Sequence, residues 1–279
     1  MARQVIADVK LRPLLGLDVK LNRLQLLDGA YRMLSPDSSM LLKVKAGLLE
    51  VDDKSSANIK TSELTLNRAY LKDGDLSLYM NVWKQKPTPK DSSAGPGFII
   101  KANDLHIENF AFGMSMLPTI DTLRLNVADL TLKGGVIDLN KNTVKWNIAS
   151  VKGGDATYLT PTPEWVKDHP APPPLPSSGP PMQIMGDSIS LEGFKALYGV
   201  KGAKPLPGFD PSYIQVSDVA IAMKDFYNES STVRLPITRM EATERSGLKI
   251  LKGEGLVGVD SIGLRRMPKM LWRIRRWSG

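Results

Sequence analysis

The residues best suited to chemistry in this sequence form incomplete sites. Gly253 to Gly258 matches the spacing G-x-G-x-x-G of dinucleotide-binding loops, but such a loop opens a helix and precedes an acidic residue by about 20 positions. Here a strand-like segment follows without that acid, so the glycines predict a turn between strands. Asp138, Asn140 and Asn142 resemble the start of a calcium loop that lacks its required Gly and Glu, which predicts a tight hairpin turn.

The supply of nucleophiles and metal ligands is small. The chain has no cysteine and two histidines, His106 and His169. This excludes thiol nucleophiles, iron–sulfur clusters and Cys-based zinc sites, and it disfavours a histidine triad or a multi-histidine metal site. His106 occupies a polar position of an alternating segment and is expected to face solvent. We therefore expect no enzyme, no metal and no cofactor.

The positive charge is concentrated at one end of the chain. The net charge is +8, but residues 265–279 contain six arginines and lysines and no acid, and without them it falls to +2. The body therefore lacks the basic stripe that nucleic-acid binding needs, and we expect no nucleic-acid partner. The basic tail is either a Trp-containing segment that lies on an anionic bilayer or a segment not native to this fold.

Alternation of apolar and polar residues dominates the remaining sequence. A period of two, as in Leu123, Leu125 and Val127, is typical of strands with one apolar and one polar face. The segments 164–167 and 192–198 are compatible with single helical turns, and we find no longer helical stripe. The sequence therefore predicts an all-β fold with little helix.

A recurring shift of phase adds to this pattern. Two alternating apolar positions are followed by two skipped residues and then two more alternating apolar positions, which keeps all four on one face if the chain inserts a bulge or breaks. The copies begin at Val9, Val19, Val44, Ile59, Ile100, Leu125, Trp146, Ile184, Ile214 and Leu235. Several copies are followed by Gly, Asn or Asp, which predict turns, at Asp28-Gly29, Asn109, Gly134-Gly135, Gly193 and Asp225.

This loose repeat favours an elongated, curled stack of strands, a β-groove, with one apolar face. An ordinary β-sandwich alternates in the same way and is the competing interpretation. We expect one elongated body over residues 1–264, interrupted by irregular loops at about 84–97 and 161–181. The second of these is rich in proline, which is typical of stiff, extended connectors.

Two stretches resemble a known family. Residues 5–15, with Leu24, Leu26 and Gly29 after them, resemble the N-proximal part of AsmA-like proteins. Residues 208–214 and 243–248 resemble the Bacteroidetes branch of the translocation and assembly module subunit TamB. The resemblance covers about residues 2–264. It implies a fragment of a periplasmic protein whose inner-membrane anchor and C-terminal domain are not in this chain.

The resemblance implies phospholipid transport between the two membranes and outer-membrane biogenesis. The residues add a mechanism, since an apolar groove holds acyl chains by burial and needs no catalytic residue. Phospholipid acyl chains are the expected partners, with outer-membrane barrel proteins as further ones. The alternatives are a scaffold that receives nascent strands by β-augmentation and an extracellular β-stack adhesin. The candidate groove residues are Leu24, Leu26, Leu64, Leu66, Leu105, Ile107, Leu130, Leu132, Ile189, Leu191, Val219 and Ile221.

Overall fold

The computed structural model describes residues 3–10, 18–52, 54–81, 83–84, 97–117, 121–170, 181–229 and 232–260. The predicted basic tail at 265–279 lies outside these ranges, and so do most of the predicted loop at 84–97 and part of the one at 161–181. What the sequence predicts for those residues stays a prediction.

The all-β prediction is confirmed. Alternating segments form strands because each buries one side of a pleated ribbon and hydrates the other. In the described ranges the chain forms twelve strands and one short helix. In order these are β1 (Gln4–Lys10), β2 (Asp18–Leu34), β3 (Met40–Val51), β4 (Ser55–Asn58), β5 (Glu63–Asn81), β6 (Ile99–Leu117), β7 (Asp121–Asp138), β8 (Thr143–Thr160), α1 (Pro163–Asp168), β9 (Gln183–Val200), β10 (Tyr213–Glu229), β11 (Thr232–Glu244) and β12 (Lys249–Asp260).

All of these strands belong to one sheet, and sequence order is kept across it. The order is β1-β2-β3-β5-β6-β7-β8-β9-β10-β11-β12, with β4 pairing with β2 and β5 in line with β3. This single elongated layer agrees with the predicted repeat sheet rather than with a sandwich of two sheets.

Two of the strand pairs are parallel in a sheet that is otherwise antiparallel. They are β5 with β6 and β8 with β9. A parallel pair requires a connection that returns the chain to the end of the sheet where the first strand began. The two predicted interruptions belong to these two connections, at 82–98 and 161–182. Helix α1 opens the second one, as predicted for residues 164–167.

The skipped residues of the repeat lie in bulges that line up from strand to strand. One row of bulges, which we call the first crease, crosses seven strands. Its residues fall between consecutive paired positions, and they are Asp28, Gly47, Asp73, Asn109, Ala128, Gly153 and Gly193. The second crease crosses β5 to β10 at Asn67, Asn103, Gly134, Asn147, Asp187 and Asp225. Asp28, Asp73 and Asn109 have φ of 48°, 54° and 53°, a region that Asn and Asp tolerate better than most residues.

Some predictions about glycine and polar residues were wrong. The residues expected to make turns at 28–29, 109, 134–135, 193 and 225 lie inside strands, where they form the creases. Gly253 to Gly258 lies inside β12 instead of forming a turn. Residues 192–198, considered for a helical turn, belong to β9. The hairpin turn after Asp138 is confirmed, because its Oδ1 accepts the N–H groups of Asn140 and Lys141 at 3.0 and 3.2 Å.

Candidate functional site

The apolar face of the sheet carries two rows of residues that cross it from edge to edge. Residues paired in register share a face, and so do residues two apart in one strand. The first row is Ala7, Leu24, Val51, Ala69, Leu105, Leu132, Ala149, Ile189, Met223, Ile237 and Gly255. The second row is Val5, Leu26, Leu49, Leu71, Ile107, Leu130, Val151, Leu191, Ile221, Met240 and Gly253.

These two rows form an unbroken apolar strip. From β2 to β11 it crosses nine strand positions about 4.8 Å apart, which gives a length of about 38 Å, perpendicular to the strands. Neither row contains a polar residue. An apolar strip of this length on a single-layer sheet is much larger than the scattered apolar residues of an ordinary protein surface.

The structure places nine of the twelve predicted groove residues in these two rows. They are Leu24, Leu26, Leu105, Ile107, Leu130, Leu132, Ile189, Leu191 and Ile221. Leu64 and Leu66 lie on the same face beyond the second crease, in rows with Ile100 and Ala102. Val219 lies on it beyond the first crease, opposite Phe194. The predicted set therefore shares one face, divided by the creases into three bands.

Two copies of the repeat differ from the predicted pattern. In the copy that begins at Ile59, both Ile59 and Thr61 lie in the turn between β4 and β5 instead of on the apolar face of a strand. In the copy that begins at Trp146, the phase differs by one position. The sequence pattern assigns Ile148 to the apolar face, but it pairs with Lys133 and Ser188 on the polar face and is 47% exposed. The bulge at Asn147 comes earlier than the pattern suggests, and Ala149 takes the apolar position instead. The apolar strip is unbroken because of this shift.

The apolar surface continues across the creases because glycines leave room for neighbouring leucines. A Cβ on Gly74 would lie 3.2 Å from Cδ2 of Leu71, across the first crease. The Cδ2 of Leu132 occupies the equivalent space over Gly135 at the second crease. Leucines of the strip therefore cover the glycines at both creases, and at the first crease Leu191 and Ile221 also pack against Phe194 and Val219.

Most of this face is half-buried and the sealed core is small. The described strands form one layer, so no second sheet of theirs covers the face. The buried cluster consists of Phe194, Val219 and Ala242, with exposures of 5%, 5% and 7%. The predicted residues other than Ile107 and Val219 are only partly buried.

The opposite face carries a polar row between the two apolar rows. It runs Gln25, Glu50, Tyr70, His106, Thr131, Ser150 and Ser190. Its members bond to each other, since Gln25 Nε2 donates to Glu50 Oε1 at 2.7 Å and Ser190 Oγ donates to Ser150 Oγ at 3.1 Å. A cleft of about 630 Å³ opens here, and its lining includes three cations and three carboxylates, so it has no dominant charge.

A network of charges surrounds His106 on that polar face. His106 Nε2 lies 3.3 Å from both Glu108 Oε1 and Asp129 Oδ2. Tyr70 donates its hydroxyl to Glu108 Oε2 at 2.6 Å. This hydrogen bond raises the pKa of Tyr70 to about 12 and lowers the pKa of Glu108. The side chains of this network are partly exposed, and His106 lies on the polar face.

Two buried polar atoms lie on the apolar side of the sheet, and sequence reasoning missed both. Trp146 stacks on Phe226 with ring centroids 5.8 Å apart, and its indole covers Gly186, with Nε1 buried and unpartnered. Glu244 is opposite Val216 and 6% exposed. Its Oε2 accepts the N–H of Ser246 at 2.7 Å, and its Oε1 is buried without a partner. The only sequence signal was Gly186, a glycine in an apolar slot of the repeat, which pairs with Trp146 across β8 and β9.

The described residues contain no group of three or more acidic, histidine or cysteine side chains arranged to hold a metal. Among them there is also no helix with the length and apolar character that crossing a bilayer requires. Comparison of the sequence and the fold with protein-family models, curated proteins and solved structures gives no match.

Proposed function

We propose that this chain is a non-enzymatic segment of a lipid-conducting protein, and that acyl chains lie along its apolar strip. The observation that carries the proposal is the pair of rows that cross the sheet from β2 to β11 without a polar residue. An apolar face of this kind in one layer needs a cover. Lipid tails supply that cover through burial alone, at about 0.8 kcal/mol per methylene.

The geometry suits transport along the sheet better than storage at one point. Adjacent leucines, valines and isoleucines offer nearly equal contacts at each strand, so a bound chain has no directional bond to break as it moves. The creases do not interrupt this surface, because Leu71 and Leu132 cover the glycines next to them. Head groups remain outside the strip, in water.

The proposed setting follows from the resemblance to AsmA-like and TamB proteins. We propose that the chain is part of a periplasmic, inner-membrane-anchored protein that moves phospholipid between the inner and outer membranes and supports outer-membrane biogenesis. The one-layer repeat sheet is compatible with that setting, since a longer protein could extend it by adding strands at β1 or β12.

Site-specific crosslinking tests the proposal directly. Photo-reactive residues at Leu26, Ile107 and Leu130 should form phospholipid adducts, measured by mass spectrometry of the purified chain. The matched controls are Gln25, His106 and Thr131, each next to a test position in the same strand and on the polar face. Equal labelling of the two sets would refute a lipid-binding strip.

The open edges of the described sheet favour a second candidate function. β1 and β12 each have one strand neighbour, so each has backbone groups free to pair with an added strand. A scaffold for nascent outer-membrane proteins would use these edges by β-augmentation. Crosslinkers in β1 would then capture unfolded polypeptide, and Ile107→Asp on the apolar face would leave that capture unchanged. Loss of capture with Ile107→Asp would count against this candidate.

A further inference from the structure

The connection between β9 and β10 presents two large apolar side chains to solvent. Leu206 is 62% exposed and Phe209 is 56% exposed. They lie in the segment 201–212, at the end of the sheet where β9 finishes and β10 begins. Pro205 and Pro207 flank Leu206 and restrict the backbone there.

This segment is held in place by two internal contacts. Asp210, which is 2% exposed, accepts the N–H groups of Leu206 and Ser212, both at 2.9 Å. The guanidinium of Arg245 donates to the carbonyl oxygens of Leu206 and Gly208 at 2.8 and 3.3 Å. The exposed apolar tips are therefore presented by an organised loop, and little ordering entropy is lost when they bind.

The charge next to these tips is positive. Lys201 and Lys204 are exposed, and residues 201–209 contain no acidic side chain. The carboxylate that follows in the chain, Asp210, is buried and occupied by its hydrogen bonds, so it does not offset these lysines at the surface. Helix α1 carries both signs of charge, in exposed Glu164, Lys167 and Asp168. Two apolar tips with lysines beside them match the interfacial region of an anionic bilayer.

A second apolar projection stands at the same end of the sheet. Lys201 donates its N–H to the carbonyl of Thr160 at 2.8 Å, which joins the loop to the end of β8. Helix α1 begins directly after β8, and its Val166 is 46% exposed. Trp165 of α1 stacks on Trp83, which follows β5, with ring centroids 6.4 Å apart. Tryptophans are favoured at membrane interfaces.

We infer that this end of the sheet docks onto a bilayer that carries anionic head groups, with Leu206 and Phe209 inserted between them. The lysines at 201 and 204 contact the head groups, and α1 projects from the same end of the sheet. This inference is independent of the proposed lipid strip, because docking requires the strand ends and not the apolar rows.

Single-cysteine labelling tests this inference at the loop itself. The chain has no cysteine, so Leu206→Cys and Phe209→Cys each provide one site for an environment-sensitive dye in the full chain. Ile59→Cys is the matched control, because Ile59 is 61% exposed in the turn after β4, at the opposite end of the strands. Vesicles of phosphatidylcholine with phosphatidylglycerol are compared with vesicles of phosphatidylcholine alone.

The dye at 206 and 209 should shift to the blue with the anionic vesicles, while the dye at 59 should stay unchanged. Replacing Lys201 and Lys204 by Gln should lower the affinity for the anionic vesicles, measured by titrating the dye response, by about fivefold for each lysine. Binding of the whole chain with no dye response at 206 and 209, as the basic segment 265–279 would produce, overturns the inference. An equal response at all three positions overturns it as well.

Discussion

The two faces of the sheet differ in character although they alternate residue by residue along the same strands. In β7, Leu130 and Leu132 belong to the apolar rows, and Thr131 between them belongs to the polar row. The polar side chains satisfy each other, as Tyr70 and His106 do through Glu108. The apolar side chains pack against each other within and between rows, but the described strands supply no second layer over most of them.

The difference also shows where the stability of the sheet resides. Burial reaches core levels where Phe194, Val219 and Ala242 pack together, near the first crease on the apolar side. In the two rows Val51, Ala69 and Ile107 are also buried, with exposures of 3%, 5% and 9%, and most of the other described members are half-buried. The strip is therefore buried at a few positions and half-buried along most of its length.

The largest expected effect comes from removing the side chain that anchors the apolar face. Phe194→Ala should lower the free energy of unfolding by about 3 kcal/mol, because it deletes a buried ring and leaves a cavity beside Val219 and Ala242. The measurement is urea denaturation followed by circular dichroism.

Lys195→Ala is the matched control for that variant. Lys195 is the next residue in β9, is exposed and points to the opposite face, so its loss should change stability by less than about 0.5 kcal/mol. Equal losses for the two variants would mean that the faces do not differ in packing.

The second-largest expected loss of stability comes from a substitution next to the first crease. Gly154 has φ of 135°, and a Cβ there would collide with the carbonyl oxygen of Asn126 and lie 2.8 Å from Phe194. Gly154→Ala should therefore cost about 2 kcal/mol through backbone strain and displacement of the ring. Gly113→Ala is the control, because Gly113 has open space with only Ser77 Oγ at 4.0 Å. Similar melting temperatures for both variants would contradict the structural role of the crease.

Much of the apolar face could be predicted from sequence because its signal is local. The skip is visible wherever the spacing of apolar residues changes from two to three, as from Ile107 to Phe110 or from Val127 to Leu130. Since the side-chain period of a strand is two, each such change demands a bulge or a break. The assignment of the predicted leucines in β2, β6 and β7 to one face follows directly.

The pairing of strands carries no comparable local signal. The parallel pairs depend on where the connections at 82–98 and 161–182 deliver the chain, which alternation does not encode. Gly193 and Asp225 look alike as turns or bulges, because both conformations need φ above zero. Only the register from one strand to the next shows that such residues align into creases. The hydrogen bonds from Arg245 to the carbonyl oxygens of Leu206 and Gly208 join residues 39 and 37 positions apart, and no local signal predicts them either.

The smallest effect tests the polar face. Asp52 Oδ2 accepts from Arg68 Nε at 2.8 Å, and its Oδ1 accepts the Arg68 N–H at 2.9 Å. Burial raises the pKa of Asp52, but the hydrogen bonds from Arg68 and Asn67 outweigh it and hold the pKa below 3.8. Asp52→Asn should cost about 0.5 kcal/mol at neutral pH, because Arg68 is exposed and water screens the pair.

The pH dependence of that loss follows from the direction of the shift. A carboxylate with a lowered folded pKa stabilises the protein above its unfolded pKa, and this contribution disappears as the pH falls through the folded value. The stability difference between the native chain and Asp52→Asn should therefore be constant near neutral pH and shrink below about pH 4. Asp187→Asn removes the same charge from an exposed position in the second crease and serves as control. The two losses of stability are compared at pH 3 and at pH 7, each relative to that control. Equal losses for Asp52→Asn at the two pH values would contradict a stabilising role of the ionised Asp52 carboxylate between β3 and β4.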